Sequence, residues 1–403
     1  MTSLDESAAL EVDTFQTTFT YFCQIDIIAC HRIIFTPKAA IHSTALESEA
    51  HVSDVNMVLV GDTFVGRPDP DSAFATARHL LKDVDIAFCN LETVVADAKY
   101  LAPHDHDHHP RTDEWMFDSY VRAGFNVMNL ANNPSTWHGL DPFLRCLDVL
   151  DKAGIVHGGG GRNLAEARKP AIIERNGTKV AFVCRASVCD PMTAPATEDR
   201  GGIAYYPVQT FYEPRLRVHH VPGSPPIIHT IPDRGADRAA LEEDIRKARK
   251  EADVVIVSWH WGVSPATGGT GELTEYQTEM GHFAIDAGAD MVAGHHSHVL
   301  QAIEVYKGKP IFYSLGNFVH DLHYQKRPDH ILLAMLVRCH IHDGKLQRLS
   351  FVPGLYKGNG PPDFFQPPQA PEIVKDIQKI SARFGTQFEV SKDDVAVTLG
   401  EAS

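Results

Sequence analysis

The stretch that decides the fold opens with DVVIVSWHWG (253–262) and closes with GADMVAGHHSHV (288–299). Each half carries a short apolar run, Val254–Val257 in the first and Met291–Ala293 in the second. Runs of this length and composition are typical of strands that are buried on both faces. They therefore predict an α/β protein, in which helices cover a mainly parallel sheet.

Both apolar runs stop at histidines, namely His260 in the first half and His295, His296 and His298 in the second. Side chains that follow the carboxyl end of a strand face the crevice in which α/β proteins bind their ligands. Neutral imidazole is a common metal ligand. A single histidine of this kind would be read as a turn residue in water, but four at two strand ends predict a metal site.

Carboxylates and amides follow the strands on the amino-terminal side. Asp62 comes after the apolar run Met57–Val60, and Glu92 ends IAFCNLE one strand–helix–strand unit later. Asn132 and Asn133 follow the predicted strand Asn126–Leu130. Because neighbouring parallel strands end at the same edge of a sheet, these side chains are expected near one another.

Such a mixture of carboxylate, amide oxygen and imidazole favours two adjacent divalent ions, such as Mn, Fe or Zn, over one structural zinc. Two ions held by a bridging carboxylate can stabilise the attacking and leaving oxygens of a displacement, and a metal lowers the pKa of bound water. Water would then be the nucleophile. No GxSxG motif and no plausible Cys–His pair is present.

The motifs also carry a resemblance. In order they are GD (61–62), NLE (90–92), ANN with a later Gly (131–139), HWG (260–262), GHHSHV (294–299) and YSLGNF (313–318). Together they resemble the bacterial capsule-synthesis family of the CapA/PgsA type, which is associated with poly-γ-glutamate and related to calcineurin-like metallophosphatases. The resemblance implies a layered α/β sandwich with a dinuclear type of site, and it implies metal ligands at Asp62, Glu92, Asn132 or Asn133, His260, His296 and His298.

One departure from the family pattern concerns catalysis. The asparagine loop of the family reads NNH, whereas this chain has NNPSTWHG, so that Pro134 stands at the histidine position. Proline can neither donate a proton nor bind metal. We assign Asn132 to the metal and take Asn133, His138 and His295 as the catalytic candidates, with His138 replacing the missing acid; a solvent-facing loop position is the alternative for His138.

The chain divides into three parts by pattern. Residues 1–53 show no period that could bury a face and are predicted to be a poorly integrated extension. Residues 54–357 form the metallophosphatase-like domain, with a long insertion at 189–237 that is rich in Pro, Gly, Tyr and His. Residues 358–403 are predicted to be a tail with one helix. The His104–His109 loop, in which four histidines alternate with aspartates, is expected to be a solvated segment.

Composition limits the partners. The formal charge of −15 argues against nucleic acid and anionic membranes. No stretch is apolar for long enough to span a membrane, and neither the signal sequence nor the anchor of family members in capsule export is found, so a cytoplasmic location is expected. The oligomeric state stays open.

Three functions fit these patterns. The first is a metal-dependent hydrolase that acts on a small ester, phosphoester or amide, including a γ-glutamyl-type substrate. The second is a non-catalytic accessory protein in poly-γ-glutamate or capsule biosynthesis. The third is a sugar- or peptide-binding module that uses residues 189–237 as a lid.

Overall fold

The computed structural model of the chain describes residues 53–101, 109–215, 221–265, 271–321, 331–357 and 360–400. They belong to a compact unit that runs from His51 to Ser403. The predicted extension lies outside the described residues except for Ser53, and so does most of the His104–His109 loop. None of the helices in the described ranges is both long enough and apolar enough to cross a bilayer.

Two β-sheets form the centre of this unit. The larger has ten strands, and its main path runs Phe388–Val390, Val395–Val397, Lys345–Lys357, Ile331–His342, Asp54–Phe64, Ile86–Leu91, Val127–Asn129 and Val156–Gly158. The remaining two are Asn317–His320, which pairs with Asp54–Phe64, and Asp363–Phe364, which pairs with Lys345–Lys357. Four strands follow one another in parallel from Asp54–Phe64 to Val156–Gly158.

The smaller sheet has six strands, in the order Ile303–Tyr306, Lys309–Phe312, Met291–His295, Val254–His260, Thr178–Ala186 and Ala171–Arg175. Both apolar runs of the deciding stretch are therefore neighbouring parallel strands. Asn176 and Gly177 form the turn of the hairpin at the edge of this sheet, and both adopt a left-handed backbone. The turn agrees with the preference of Asn-Gly for two-residue hairpin loops.

The alternation of side chains shows how these strands are buried on both faces. Phe182, Ile256 and Met291 belong to the core between the two sheets, where Phe88 of the larger sheet stacks on Phe182 at 4.8 Å between ring centroids. Their neighbours Val183 and Val257 point to the opposite face, into a second core. These strands therefore need apolar residues at successive positions, because each of their two faces packs against a different hydrophobic core.

Helices form the outer layers. Those of the described residues are Arg78–Leu81, Glu114–Ala123, Leu140–Ala153, Leu164–Arg168, Ala236–Glu251, Glu275–Asp286 and Pro371–Ser381. Leu241 and Met280 place two of them on the smaller sheet, and Tyr120 and Ile377 bring two others against the core that includes the larger sheet. The layered α/β sandwich predicted from the sequence is confirmed.

The remaining strands are short or peripheral. Within the predicted insertion, Val208–Glu213 and Ile227–Pro232 form an antiparallel ribbon, and Gly202–Ile203 pairs with Gly160–Gly161. Val94–Val95 pairs with Arg111–Thr112. The tail predicted at 358–403 is described over residues 360–400, which contain the helix Pro371–Ser381 and also supply strands to the larger sheet.

Candidate metal centre

A row of polar residues crosses the larger sheet near the carboxyl ends of Asp54–Phe64, Ile86–Leu91 and Val127–Asn129, and at the start of Asn317–His320. Asp62 pairs with Asn90 on one side and with Asn317 on the other, and Asn90 pairs with Asn129. In the smaller sheet His260 pairs with His295 in the same way. Because apolar residues precede each of these positions, the two sheets close the core and then present polar groups to one site.

Two glycines allow the strands to come close enough at this edge. A Cβ atom on Gly61 would lie 1.9 Å from the carbonyl oxygen of Gly316, and one on Gly294 would lie 2.0 Å from that of Tyr313. Both distances are shorter than any real contact. The glycines of the GD and GHHSHV motifs therefore position Asp62 and His295 by permitting close backbone approach.

Glu92 lies at the centre of the buried side chains. Its Oε2 atom is 3.1 Å from Nε2 of His320 and 3.6 Å from Nδ1 of His298. Its Oε1 atom is 3.5 Å from Nε2 of His260. Two groups of possible metal ligands result, Glu92 with His298 and His320, and Glu92 with His260 and His296. Within each group the ligand atoms lie within 4.8 Å of one another, and Glu92 belongs to both.

Asp62 is fully buried and lies on the side of the centre nearest the turn after Met291–His295. Its carboxylate accepts a hydrogen bond from Nδ2 of Asn90 at 2.8 Å and another from the backbone N–H of His296 at 3.1 Å. Nδ1 of His298 lies 3.4 Å from the same carboxylate, and Nδ1 of His295 lies 3.6 Å from it. Asp62 therefore joins the end of the first strand to the histidine turn.

The histidine turn has an unusual backbone. His296 has a φ of 86° and His298 a φ of 57°. Both residues therefore adopt left-handed backbone conformations that residues other than glycine rarely take. The turn nevertheless brings Nδ1 of His296 to 3.2 Å from Nε2 of His260, and Nδ1 of His298 to 2.8 Å from Oδ1 of Asn317. Strain of this kind concentrates at functional sites.

Two consecutive asparagines occupy different places. The amide of Asn132 donates to the Leu91 carbonyl at 2.8 Å and accepts from the Ser135 hydroxyl at 2.6 Å, so protein groups occupy both of its ends. The amide oxygen of Asn133 instead lies 2.8 Å from Nε2 of His260. Of the pair, Asn133 is thus the residue whose oxygen faces the Glu92 centre.

Asp190, from the predicted insertion, fixes the orientation of Asn133. Its Oδ2 atom accepts from Nδ2 of Asn133 at 3.3 Å and from the indole N–H of Trp137 at 2.8 Å. Its Oδ1 atom accepts from the backbone N–H groups of Met192 and Thr193. Because a carboxylate only accepts, it holds the amide nitrogen and turns the amide oxygen toward His260.

Burial dominates the electrostatics. Burial raises the pKa of Glu92 to about 7. Burial also raises the pKa of Asp62 well above its usual range, and the neighbouring Glu92 carboxylate raises the Asp62 pKa further. Burial also lowers the pKa of His296 and His320 to about 3. It lowers the pKa of His260 well below the usual range, and the surrounding histidines lower it further. The imidazoles are therefore neutral at pH 7.

This donor set fits a divalent cation. Oε2 of Glu92 and both ring nitrogens of His295 and of His320 are buried without a hydrogen-bond partner among the described residues. Buried polar groups without partners are rare and costly in folded proteins. Neutral imidazoles and crowded carboxylates are what an ion with oxygen and nitrogen ligands requires. An ion would supply the missing partners of Glu92 and His320 and would offset the burial of negative charge.

The structure brings most of the predicted site residues together. Five of the six predicted ligands contact one another directly or through Glu92. The sixth, Asn132, donates a hydrogen bond to the amide oxygen of Asn90. The catalytic candidates separate: Asn133 contacts His260, and His295 is fully buried beside Asp62, with its ring tilted against Phe88 at 6.0 Å between centroids. The ring of His138 lies 5.8 Å from that of His109.

Sequence reasoning missed His320 as a member of this centre. It ends the strand Asn317–His320, directly after the apolar pair Phe318 and Val319. The rule that singled out the other histidines, a polar residue at the end of an apolar strand, applies to it equally. The motif YSLGNF ends at Phe318, and His320 lies two residues beyond it.

The fold and this centre define the class: a layered α/β protein with a buried carboxylate–imidazole site at the carboxyl ends of its parallel strands. Residues 48–322 match the model of the family described as bacterial capsule synthesis protein PGA_cap. The chain belongs to this family. All the residues of the centre fall within the matched range.

Curated relatives agree with the family. The chain is 29% identical to the capsule biosynthesis protein CapA of Bacillus anthracis, over 74% of this chain and 67% of that protein. It is 28% identical to the PGA biosynthesis protein CapA of Bacillus subtilis, over 79% and 74%. A third relative, from Mycobacterium tuberculosis, is named "Probable polyglutamine synthesis accessory protein" and is 31% identical over 59% of this chain and 56% of its own length.

Proposed function

We propose that this protein is a metal-dependent hydrolase that uses two adjacent divalent cations. The single observation that carries the proposal is the position of Glu92, which belongs to two different groups of three possible ligands. A carboxylate shared in this way is the arrangement that holds a pair of ions in two-metal hydrolytic sites. Mn, Fe and Zn all suit the donor set.

We assign one ion to Glu92, His298 and His320, and the other to Glu92, His260 and His296. Asp62, within 3.4 Å of His298, adds a second carboxylate, and Asn133 adds an amide oxygen beside His260. Asn132 then serves as support behind the ligands. When bound, divalent ions stabilise negative charge on oxygen and make water a stronger nucleophile at neutral pH.

The residues around the ligands supply orientation and exclude bulk water. The ring of His298 is held by Asn317, and the amide of Asn133 is held by Asp190. Such outer contacts tune both the geometry and the affinity of a metal site. Because the ligand side chains are buried, the charges in the site are screened little by solvent.

The names of the relatives support one substrate class. The Bacillus subtilis protein is named for PGA biosynthesis, and poly-γ-glutamate is a chain of amide bonds between acidic residues. We therefore place γ-glutamyl amides first among the substrates, before phosphoesters and simple esters. Activated water is a suitable nucleophile for all three.

A non-catalytic accessory role is the second candidate, and Pro134 is the observation that favours it. The residue is buried at the start of a 3-10 turn, Asn133–Thr136, where the family pattern has a histidine. Proline cannot donate a proton to a leaving group. A protein that retained the metal centre without this acid would fit an accessory part in polymer synthesis, as the name of the Mycobacterium tuberculosis relative states for that protein.

The test begins with elemental analysis of the purified chain, followed by a panel of γ-glutamyl amide, phosphoester and ester substrates with Mn, Fe and Zn. We expect two tightly bound ions per chain and turnover on one class. Glu304→Gln is a matched control, because Glu304 is a buried glutamate that bonds Tyr313 and His282 instead of the centre. Two bound ions without turnover on any class would support the accessory role, and no bound ion would contradict both candidates.

A further inference from the structure

A second cluster of metal-ligating side chains lies at the opposite end of the first strand. Asp54 begins the strand Asp54–Phe64 and pairs with His342 of the antiparallel neighbour, and Asn56 pairs with His340. Alternate residues of a strand point to the same face. The four side chains therefore occupy one face of a two-strand pair, eight residues away from Asp62 along the chain.

The ligand atoms of this cluster are already close. Oδ1 of Asp54 lies 2.8 Å from Nδ1 of His342 and 3.4 Å from Nε2 of His340. The three residues form a group whose ligand atoms all lie within 4.8 Å of one another. A His-x-His pair with a carboxylate from the next strand supplies two nitrogens and one oxygen, the usual number of protein ligands in an open zinc site.

Neighbouring groups hold these side chains in place. Oδ1 of Asn56 lies 3.3 Å from Nδ1 of His340, on the opposite side of the ring from Asp54. The backbone carbonyl of Asp54 accepts a hydrogen bond from Nδ2 of Asn176 at 2.8 Å. The backbone carbonyl of Ser53 accepts a hydrogen bond from the backbone N–H of Asp343 at 3.0 Å. The strand start is thus tied to two turns, and the histidine is oriented with one nitrogen toward the carboxylate.

We propose that Asp54, His340 and His342 form an additional, solvent-accessible site for a zinc-type divalent cation. Imidazole nitrogen together with one carboxylate favours Zn over Mg or Ca, which prefer all-oxygen ligands. The side chains are exposed by 41% for His340 and 44% for His342, so that water can complete the coordination. This site is independent of the Glu92 centre and of the proposed hydrolysis.

The position indicates what the ion would do. It would join the start of Asp54–Phe64 to the end of Ile331–His342, two neighbouring strands in the middle of the larger sheet. An ion that binds the folded chain stabilises it by mass action. Zinc at this site would therefore raise the melting temperature by fastening the pair of strands where the described domain begins.

The test is isothermal titration of the full chain with Zn²⁺ alone, compared with His342→Ala, Asp54→Asn and His157→Ala. His157 is the matched control, since it pairs with one carboxylate, Asp151, and belongs to no three-residue group of possible ligands among the described residues. We expect one zinc-binding event that persists in the double variant His296→Ala/His298→Ala. The same event should also persist in the control His157→Ala. It should weaken at least tenfold in His342→Ala and in Asp54→Asn, with unchanged melting temperature when zinc is absent.

Two results would overturn the proposal. In the first, no zinc binding remains once His296 and His298 are replaced. In the second, the remaining event is as tight in His342→Ala and Asp54→Asn as in the unmodified chain. Because both variants change exposed side chains, and their melting temperatures are measured without zinc, a folding defect would be recognised directly.

Discussion

Two clusters of histidine and carboxylate lie at the two ends of one strand, and they differ in almost everything but residue type. At the carboxyl end, Asp62 is fully buried among amides and neutral imidazoles. At the amino end, the Asp54 side chain is 56% exposed and contacts two exposed histidines. Residue type therefore marks a possible ligand, whereas the surroundings of the side chain decide how firmly an ion is held.

The pKa directions express this difference. Burial, reinforced by Glu92, raises the pKa of Asp62, while the hydrogen bond from His342 lowers the pKa of Asp54. A buried carboxylate without an opposite charge is destabilised as an anion, and a cation relieves it. An exposed carboxylate is already stabilised by water and by its histidine, and so it gains less from an ion.

Replacing the shared ligand should have the largest effect. Glu92→Gln keeps the shape of the side chain but removes the negative charge that both ligand groups use. We expect both buried ions to be lost, and activity to fall by about 10³-fold or more, which corresponds to roughly 4 kcal/mol of transition-state stabilisation. Elemental analysis and kcat/KM measure the two effects. Zinc binding at Asp54 should be unchanged, and Glu304→Gln should retain both ions.

His320 gives a smaller and more selective test, because it belongs to only one of the two groups. His320→Ala should remove about one of the two ions and lower kcat/KM by about 10²-fold. The control is His282→Ala, whose ring contacts Glu304 and Tyr306 away from the centre. If His320→Ala kept two ions per chain, the assignment of this residue as a ligand would fail.

A substitution of Asp190 tests whether the orientation of the Asn133 amide contributes to metal affinity at the buried centre. Asp190→Asn can present an amide nitrogen to Asn133, so the Asn133 oxygen no longer has a fixed direction. Loss of an outer contact of this kind weakens metal binding by about 10–100-fold. Competition with a chelator measures the affinity. Asp199→Asn, in the same insertion but bonded to Thr197, should behave as the unmodified chain does.

The smallest effect belongs to the ion pair between Asp394 and Arg348 of the strand Lys345–Lys357. Arg348 lowers the pKa of Asp394 to about 2, and Ser350 and Ser391 add hydrogen bonds. Since the unfolded pKa is about 3.9, the stabilisation is present above pH 4 and is lost as the pH falls toward 2. Asp394→Asn should cost about 0.5–1 kcal/mol at pH 7 and progressively less in acid. Denaturant unfolding at several pH values checks this.

Much of the centre followed from the sequence because strand ends are easy to find when both faces of a strand are buried. The apolar runs before Asp62, His260 and His295 predict three strands. Parallel pairing places Asp62 beside Asn90 in the larger sheet and His260 beside His295 in the smaller sheet. What could not be predicted depends on tertiary contacts. The different orientations of Asn132 and Asn133 are one example. They depend on hydrogen bonds of Asn132 with Leu91 and Ser135 and of Asn133 with Asp190.

The periodicity of apolar residues also gave a wrong helix prediction at a place where tertiary packing determines the local structure. The strand–helix–strand unit between Asp62 and Glu92 predicts one helix, yet this segment forms a 3-10 turn, Pro70–Phe74, and a short helix, Arg78–Leu81. Phe74 packs among the rings of Tyr120, Phe125 and Phe318, and this packing interrupts the regular helical path. The Asp54 cluster was missed for a related reason: its members are far apart in sequence and meet only through antiparallel pairing.

The most direct test of the central claim is an anomalous difference map from crystals of the chain loaded with Mn²⁺. We predict two strong peaks about 3.5–4 Å apart with the Glu92 carboxylate between them. One peak would have His298 and His320 beside it, and the other would have His260 and His296. A single peak at this centre, or peaks only at Asp54 and the exposed histidines, would contradict the account.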